Sequence, residues 1–467
     1  MTRKMQQFTH LHRRFPAKRG ASERRADFAE ISEGFPVAQA ADQASRCEQC
    51  GIPFCSLRCP LGNNIPDWLM LAACGRMEEA FGVASATNTF PEICGRICPQ
   101  DRLCEGNCVL EQSGHGNVTI GAMEKHIVEA AFAAGWVKPV LPAHELGRSV
   151  GIVGGGPAGL AAAEALRAGG YAVTVYDRHD RMGGLLLYGI PGFKLEKAAV
   201  ARRVALLAEA GIVLVPGVAI GRDLSFAELR ARHDAVLIAT GVYRAKPLGI
   251  PGADRPEVHA ALDYLIAQNR RDLGETVTEL NAAGKNVVVI GGGDTAMDCV
   301  RTAIRQGAKS VKCLYRRDRA NMPGSRREVA HAEEEGVEFV WMAAPDAITA
   351  EGVGATRMHL GLPDASGRQS PEPIEGSTFT LPADMVIAAL GFDPEDVPAL
   401  FGAPDLRVTD WGTIATDAEL MTSLDGVFAA GDIVRGASLV VWAIKDGRDA
   451  ARSIHRYVSG VAARAAK

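Results

Sequence analysis

The sequence predicts an α/β protein in which a small α-helical domain precedes two Rossmann-like units. Two segments carry the order of strand, glycine-rich turn and helix that is typical of such units, and strand and helix patterns alternate after Gly147. The first quarter of the chain instead has helical apolar patterns and contains nine of the 11 cysteines. A length of 467 residues gives room for roughly three domains of about 150 residues each.

Eight of the N-terminal cysteines form two similarly spaced blocks. In each block the thiols lie on turns that contain glycine and proline, so several sulfurs can converge on one inorganic core, which indicates iron–sulfur ligation. Chain length, an odd cysteine count and the lack of an apolar signal segment disfavour a disulfide framework, and the lack of a matched second CxxC disfavours zinc. Cys74, Cys299 and Cys313 stand alone in apolar surroundings and are assigned no chemistry. The blocks are Cys47, Cys50, Cys55 and Cys59, then Cys94, Cys98, Cys104 and Cys108.

Two stretches of this region, Pro66–Arg76 and Val118–Ala134, have helical character, the second with apolar residues at helical spacing. Pro139, Pro142 and Gly147 then mark a domain boundary. The arm before the cysteines is locally basic, but it also has acidic residues and lacks an apolar core segment. These features predict a solvated or partner-docking arm rather than a targeting peptide.

The first Rossmann-like unit begins with the apolar strand Ser149–Val153, continues through GxGxxG into a helix to Ala168, and has a second strand at Ala172–Tyr176. The three glycines permit a tight turn, the approach of a pyrophosphate to the backbone, and packing of the helix on the strand. The helix N-terminus faces the phosphates, and the acid after the second strand can accept hydrogen bonds from ribose hydroxyls. The predicted contacts are Gly154, Gly156, Pro157, Ala158, Gly159 and Asp177.

The second unit repeats the pattern with the strand Asn286–Ile290, a helix to Gln306 and the strand Val311–Tyr315. Two arginines replace the acid after its second strand, and they suit a 2′-phosphate through charge-assisted, bidentate bonds. NADPH is therefore preferred over NADH, with a solvated strand end as the alternative interpretation. The predicted contacts are Gly291, Gly293, Asp294, Thr295, Ala296, Arg316 and Arg317.

Two later turns can bring backbone close to a flavin. Thr240 and Gly241 follow the apolar strand Ala235–Ile238, and Gly431 and Asp432 follow the strand Val427–Ala430. The Asp432 carboxylate can accept from a ribityl hydroxyl, and a helix over about Leu439–Val458 can direct its N-terminus at the flavin ring. Each motif is also compatible with an ordinary strand-to-helix turn.

The composition restricts the class of protein. A net charge of −4 gives no electrostatic reason to expect nucleic acid or membrane binding, and 47% hydrophobic residues can fill several cores. No run of about 18 apolar residues is present to span a bilayer. The sequence therefore predicts a soluble, cytoplasmic protein.

Several stretches resemble one family over nearly the whole chain: the small (beta) subunit of NADPH-dependent glutamate synthase. They are CGIPFCSLRCPLGNNIPDW, GGLLLYGIPGFKLEK, GGGDTAMDC and YRRDRANMPGSRREV. The resemblance implies a helical domain with two 4Fe-4S clusters at residues 1–145, and an adrenodoxin-reductase-like FAD domain at 146–252 and 393–467. An NADPH domain at 253–392 would be inserted in the FAD domain, and Gly184 and Leu185 of the second stretch would contact FAD.

The resemblance also implies how the cluster ligands divide. In the related cluster domain of dihydropyrimidine dehydrogenase, ligands of the two blocks interleave. By that relation one cluster takes Cys47, Cys50, Cys55 and Cys108, and the other takes Cys59, Cys98 and Cys104. The eighth ligand would be Glu124, in IGAME, with Cys94 as the alternative.

The implied activity is that of an electron-input subunit. NADPH would pass a hydride to FAD, and single electrons would leave through the clusters to a large (alpha) subunit that makes glutamate from glutamine and 2-oxoglutarate. The chain would thus form a hetero-oligomer, and no side-chain acid or base is required, so no catalytic residue is assigned. The alternative is an NAD(P)H:ferredoxin-type oxidoreductase or the input subunit of another complex. A disulfide reductase is disfavoured, because no close cysteine pair follows the first glycine motif.

Overall fold

A computed structural model describes residues 6–364 and 369–465. Its N-terminal region is helical apart from a 3-10 turn at Gln7–Thr9. The helix predicted over Pro66–Arg76 ends at Ala73, because Gly75 adopts a φ of +75° before a further helix begins at Met77. The helix predicted over Val118–Ala134 is confirmed within two residues. The helices are α1 Ala21–Arg24, α2 Val37–Ser45, α3 Phe54–Leu57, α4 Ile65–Ala73, α5 Met77–Thr87, α6 Pro91–Ile97, α7 Val109–Gln112 and α8 Ile120–Ala133.

A five-stranded parallel sheet follows, and the far C-terminal part of the chain supplies one of its edge strands. Its strands are β1 Ser149–Val153, β2 Ala172–Asp177, β3 Val213–Pro216, β4 Ala235–Ile238 and β15 Val427–Ala429, in the order β15-β4-β1-β2-β3. Its helices are α9 Pro157–Ala168, α10 Leu185–Tyr188, α11 Lys197–Glu209, α12 Phe226–Arg232, α16 Val397–Phe401, α17 Asp432–Arg435 and α18 Val440–Ala465. Helix α18 extends seven residues beyond the predicted Val458.

A second five-stranded parallel sheet is built from the intervening chain. Its strands are β6 Val258–Ala260, β7 Asn286–Ile290, β8 Ser310–Tyr315, β9 Glu338–Trp341 and β13 Met385–Ala388, in the order β6-β13-β7-β8-β9, with helices α13 Ala261–Asp272, α14 Asp294–Arg305 and α15 Arg326–Glu334. A three-stranded antiparallel sheet precedes β13 and consists of β10 Ala343–Thr349, β11 Gly352–Pro363 and β12 Gln369–Leu381.

A short antiparallel ribbon joins the two parallel sheets. It pairs β5, Arg244–Ala245, with β14, Phe392–Asp393. The chain leaves the first sheet through β5 and returns to it through β14, so the second sheet is an insertion in the first. This sheet order supports the predicted inserted domain, while the residue ranges given for the domains stay a prediction.

The helical region packs directly on the first sheet unit. Phe90, Ile93 and Cys98 belong to the same buried apolar cluster as Leu160 of α9. The buried Arg203 of α11 donates two hydrogen bonds to the Glu92 carboxylate, at 2.7 and 2.9 Å. A bidentate pair of this kind fixes orientation as well as distance, so the second cysteine block is held against this sheet unit.

The basic N-terminal arm is more ordered than its charge pattern predicted. Arg24 is buried, donates to Glu334 at 2.7 Å and lies 3.4 Å from Glu335. Outside the arm, the guanidinium groups of Arg301 and Arg305 lie 4.4 and 4.0 Å from the ring centre of Phe193. The arm therefore docks on the inserted unit of its own chain, since buried arginines require charged partners. Among the helices of the described ranges, none combines the length and apolar character that a membrane crossing requires.

Candidate cofactor sites

The glycine turn after β1 has the geometry of a pyrophosphate site. Gly154 has a φ of +109°, and a Cβ there would lie 2.3 Å from the Ala239 carbonyl oxygen. A Cβ on Gly159 would lie 2.0 Å from the Gly154 carbonyl oxygen, so both positions require glycine. Gly156 has no protein atom within 4 Å of its Cβ position, which leaves open space at the N-terminus of α9. Helix N-termini with such open backbone bind phosphate groups.

The predicted flavin turns meet at the same edge of this sheet, because its strands are parallel. The Thr240 hydroxyl is buried without a hydrogen-bond partner, and Ser438 donates to the Asp432 carboxylate at 2.7 Å. A Cβ on Gly184 would lie 2.9 Å from the Cα of Gly156, so the loop before α10 closes over the glycine turn. An unpaired buried hydroxyl and an open glycine backbone fit a polar ligand such as FAD.

Asp177 lies at the end of β2, where the sequence placed it. Its carboxylate accepts hydrogen bonds from the N–H groups of Gly155, at 2.7 Å, and His179, at 2.8 Å. These bonds hold the acid beside the glycine turn. A carboxylate can accept about four hydrogen bonds, so capacity for a ribose hydroxyl remains, and this contact stays a prediction.

The second glycine turn repeats this geometry after β7. Gly291 has a φ of +144°, and a Cβ there would lie 2.3 Å from the Ala389 carbonyl oxygen. Gly293 precedes α14 and has no protein atom within 4 Å of its Cβ position. The N–H of Gly324 donates to the Gly292 carbonyl at 2.9 Å, which folds the loop after β8 against this turn.

Arg316 and Arg317 follow β8 directly. Neither side chain forms an ion pair with another residue of the described chain, and the Nε of Arg317 is buried without a partner. Arg319, two residues further on, is by contrast paired with Glu333 at 2.7 Å. Two uncommitted guanidinium groups beside a nucleotide turn suit a phosphate, as predicted for the 2′-phosphate of NADPH.

Four cysteines of the first interleaved set line one small cavity. They are Cys47, Cys50, Cys55 and Cys108. Burial, together with the neighbouring Cys47 and Cys108, raises the pKa of Cys55 to about 12. Burial and the proximity of Cys108 likewise raise the pKa of Cys50. Thiols from both sequence blocks thus surround one space, as the interleaved assignment predicts.

The second set lies partly against the first sheet unit, because Cys98 belongs to the apolar cluster of that unit. Contact with the Cys94 thiol and burial raise the pKa of Cys98, and burial raises that of Cys59 to about 11, with Glu124 and Cys94 nearby. Burial, with Cys59 and Glu124 nearby, also raises the pKa of Cys104. Both candidates for the eighth ligand therefore lie beside these thiols.

The Glu124 carboxylate is buried and hydrogen-bonded to other side chains rather than exposed to solvent. Its Oε1 accepts from Asn88 at 3.0 Å and from Asn63 at 3.4 Å, and burial raises its pKa to about 8. Across residues 6–364 and 369–465, no three His, Cys, Asp or Glu side chains are arranged to hold a single metal ion. A 4Fe-4S cluster carries its ligands on separate irons, so these thiols fit a cluster without converging on one point.

Substitution of the two candidates is expected to identify the eighth ligand. We expect Cys94→Ala to retain the iron content of the wild type, and Glu124→Gln to change the EPR spectrum of one reduced cluster, since an amide is a poor substitute for a carboxylate ligand. The measurement is iron analysis with EPR of the reduced protein. Loss of iron in Cys94→Ala beside an unchanged Glu124→Gln would assign the position to Cys94.

Two protein families match the chain. Residues 148–447 match the pyridine nucleotide-disulphide oxidoreductase family, and residues 24–136 match the dihydropyrimidine dehydrogenase domain II, 4Fe-4S cluster family. The glutamate synthase [NADPH] small chain of Azospirillum brasilense is 64% identical over 465 residues, 97% of this chain and 96% of that one. This chain belongs to the glutamate synthase small-chain family. The Escherichia coli K12 member is 45% identical, across 98% of this chain and 100% of its own length.

The fold of this family member is also found in solved structures. FprA of Mycobacterium tuberculosis in complex with NADPH superposes with a TM-score of 0.58 at 20% identity, over 68% of this chain and 86% of that one. The predicted fold class is confirmed: a helical 4Fe-4S domain and an oxidoreductase fold with Rossmann-type FAD and NADPH units. The chain is an NADPH-dependent flavin oxidoreductase with 4Fe-4S chemistry.

Sequence reasoning missed several side chains at the flavin turns of this family member. The Tyr243 hydroxyl lies 3.7 Å from the Cβ position of Gly184, and the Arg178 guanidinium lies 4.7 Å from the Tyr243 ring centre. Burial, with the nearby carboxylates of Asp177 and Asp432, raises the pKa of Tyr243. The sequence signal that could have identified Tyr243 is its position two residues after Gly241, in a predicted flavin turn. A separate cleft of about 910 Å³ lies between the N-terminal arm, the second cysteine block and α15, away from these turns.

Proposed function

We propose that this chain is the electron-input subunit of an NADPH-dependent glutamate synthase. It takes a hydride from NADPH and delivers single electrons to a large subunit, which makes glutamate from glutamine and 2-oxoglutarate. The near full-length likeness to glutamate synthase small chains carries this proposal. The protein is a hetero-oligomer with the large subunit, and it requires neither nucleic acid nor membrane. Its cytoplasmic location stays a prediction.

The protein contributes binding and orientation. Bound FAD accepts two electrons together and releases them singly, which connects a nicotinamide donor to one-electron clusters. The turns at Gly154–Gly159 and Gly291–Ala296 would hold the two nucleotides, Asp432 would accept from a ribityl hydroxyl, and the turn at Thr240 would lie close to the flavin. The loop at Gly184 lies against the first turn.

Two clusters with interleaved ligands are part of the proposal. The set with Cys59, Cys98 and Cys104, completed by Glu124, reaches the core of the first sheet unit through Cys98, while Cys59 and Cys104 pack on the core of the helical domain. The set with Cys47, Cys50, Cys55 and Cys108 lies beside Ile52 and Phe54, which are 64% and 43% exposed. This arrangement supports electron flow from FAD to the buried cluster and then to the outer one.

Loss of both arginines after β8 is expected to change nucleotide preference. The double variant Arg316→Ala and Arg317→Ala should raise the Michaelis constant for NADPH at least about tenfold, because charge-assisted bonds contribute roughly 1.5–3 kcal/mol each. The Michaelis constant for NADH should change little. Steady-state kinetics with both nucleotides tests this, with Arg319→Ala as the matched control because that side chain is paired with Glu333. An equal increase of both Michaelis constants would show that the 2′-phosphate does not bind at these arginines.

The decisive experiment for the proposed function is anaerobic NADPH oxidation by the natively purified complex. It is run with and without glutamine plus 2-oxoglutarate, and glutamate is quantified. Strict dependence on both substrates, with glutamate formed, is the expected result. Oxidation only with ferredoxin or dyes would instead support the alternative, a ferredoxin-type oxidoreductase or the input subunit of another complex.

A further inference from the structure

The segment between Cys98 and Cys104 contacts the inserted nucleotide unit directly. Arg102, in this segment, donates from Nη1 to the Pro323 carbonyl at 3.0 Å, and its Nη2 lies 3.3 Å from the Asp294 carboxylate. Arg327 of α15 donates to the Gln100 Oε1 at 3.1 Å. Three side-chain contacts therefore join a cysteine-bearing turn to the nucleotide unit.

The cysteine end of this bridge is a tightly bonded turn. The Gln100 carbonyl accepts hydrogen bonds from the N–H groups of Leu103, Glu105 and Gly106, at 3.1, 2.9 and 3.1 Å. The buried Gln100 side chain donates to the Cys94 carbonyl at 3.1 Å. Hydrogen bonds on both sides of Arg102 thus fix the backbone of the turn between Cys98 and Cys104.

The nucleotide end is equally constrained. Asp294 is the first residue of α14, directly after Gly293, where a pyrophosphate is expected. Its other carboxylate oxygen accepts from the N–H of Ser325 at 2.8 Å, and this ties the loop after β8 to the same helix end. A pyrophosphate here repels the Asp294 carboxylate and attracts the Arg102 guanidinium, because like charges repel and opposite charges attract at these distances.

We propose that Arg102 is a positioning residue that couples two properties of the protein. They are nucleotide binding to the inserted unit and the reduction potential of the cluster whose ligands include Cys98 and Cys104. The proposal rests on the proposed function for the NADPH site and the cluster ligands. A bound nucleotide holds the positive charge of Arg102 at Asp294, and a reduced cluster, which carries one more negative charge, competes for it. Because such coupling is reciprocal, reduction of this cluster weakens nucleotide binding and thereby promotes release of NADP⁺.

The test is an EPR-monitored redox titration of the holoprotein with dithionite and mediators. It is run with and without saturating 2′-phospho-ADP-ribose, which carries the 2′-phosphate and pyrophosphate but has no nicotinamide to accept electrons. In the wild type, we expect about fivefold weaker ligand binding to the reduced cluster, equivalent to a midpoint potential lower by about 40 mV. The potential of the outer cluster should change less.

Three variants isolate the role of Arg102. Arg102→Gln should abolish the shift, and Arg102→Lys should retain part of it because the charge remains. Arg76→Gln removes an exposed arginine of the same domain that pairs with Glu79, and it should keep the full shift. A full shift in Arg102→Gln, or none in wild-type protein that binds the ligand and shows the cluster signal, would overturn the inference. If the wild-type protein neither bound the ligand nor gave a cluster signal, that result would overturn the proposed function as well.

Discussion

Gly156→Ala is expected to yield a folded protein that has lost most of its FAD. The Cβ position of Gly156 is free of protein atoms within 4 Å, so the added methyl group meets only the pyrophosphate. We expect FAD affinity to fall by at least about tenfold, because the backbone can no longer approach the phosphates. Flavin content after purification and fluorescence titration of the apoprotein measure this effect.

The second glycine turn provides the matched control. Gly293 has the same extended backbone and the same free Cβ position, so Gly293→Ala should weaken NADPH binding while FAD stays bound. Gly154→Ala should impair folding itself, because the residue has a φ of +109° and its Cβ would lie 2.3 Å from a carbonyl oxygen. Retention of full FAD by Gly156→Ala would show that the flavin lies elsewhere.

Cys108→Ala is expected to remove one cluster, with a loss of about four iron atoms per chain. Cys108 belongs to the second sequence block but shares a cavity with Cys47, Cys50 and Cys55 of the first block. NADPH should still bleach the flavin, because hydride transfer does not involve the outer cluster. Electron delivery to the large subunit should fall to a few per cent or less of the wild-type rate. Iron analysis and stopped-flow absorbance measure the two effects.

Cys74→Ala is the control for this substitution, because Cys74 is an exposed thiol outside both sets. It should keep all iron and full electron delivery. The interleaved assignment would be wrong if Cys108→Ala kept its iron or if it lost the iron of both sets while remaining folded.

Local sequence signals were sufficient for the two glycine turns. The strands Ser149–Val153 and Asn286–Ile290 have the predicted bounds, because an apolar run that ends at a glycine defines its own limits. The ends of α4 and α18 were less accurate, since Gly75 interrupts the first helix and an alanine-rich tail extends the second. Helix ends depend on weak local preferences, so such errors are expected.

Contacts between distant segments could not be derived from local patterns. Burial of Arg24 depends on Glu334, 310 residues away, whereas the charge pattern of the arm alone predicted a solvated or partner-docking arm. Likewise, Asp177, Asp432 and Tyr243 meet only because β15 joins the first sheet after the whole inserted unit. The cysteine sets could be predicted only in part. The spacing of the cysteines indicated cluster ligation, but their division into two sets came from the resemblance to a related protein.

Because of the ribbon of Arg244–Ala245 and Phe392–Asp393, the inserted unit can be exchanged for that of another protein, and the nucleotide preference is exchanged with it. Both chain crossings lie side by side in this ribbon, so the segment between them has adjacent ends and can be exchanged as one cassette without rethreading the first sheet. A graft from an NADH-using oxidoreductase would have to supply acidic groups for Arg24 and Lys194 and a cationic cradle for Phe193. It would also have to keep the contacts of Asp294 with Arg102 and of Arg327 with Gln100, so docking positions and the nucleotide turn together restrict such a chimera.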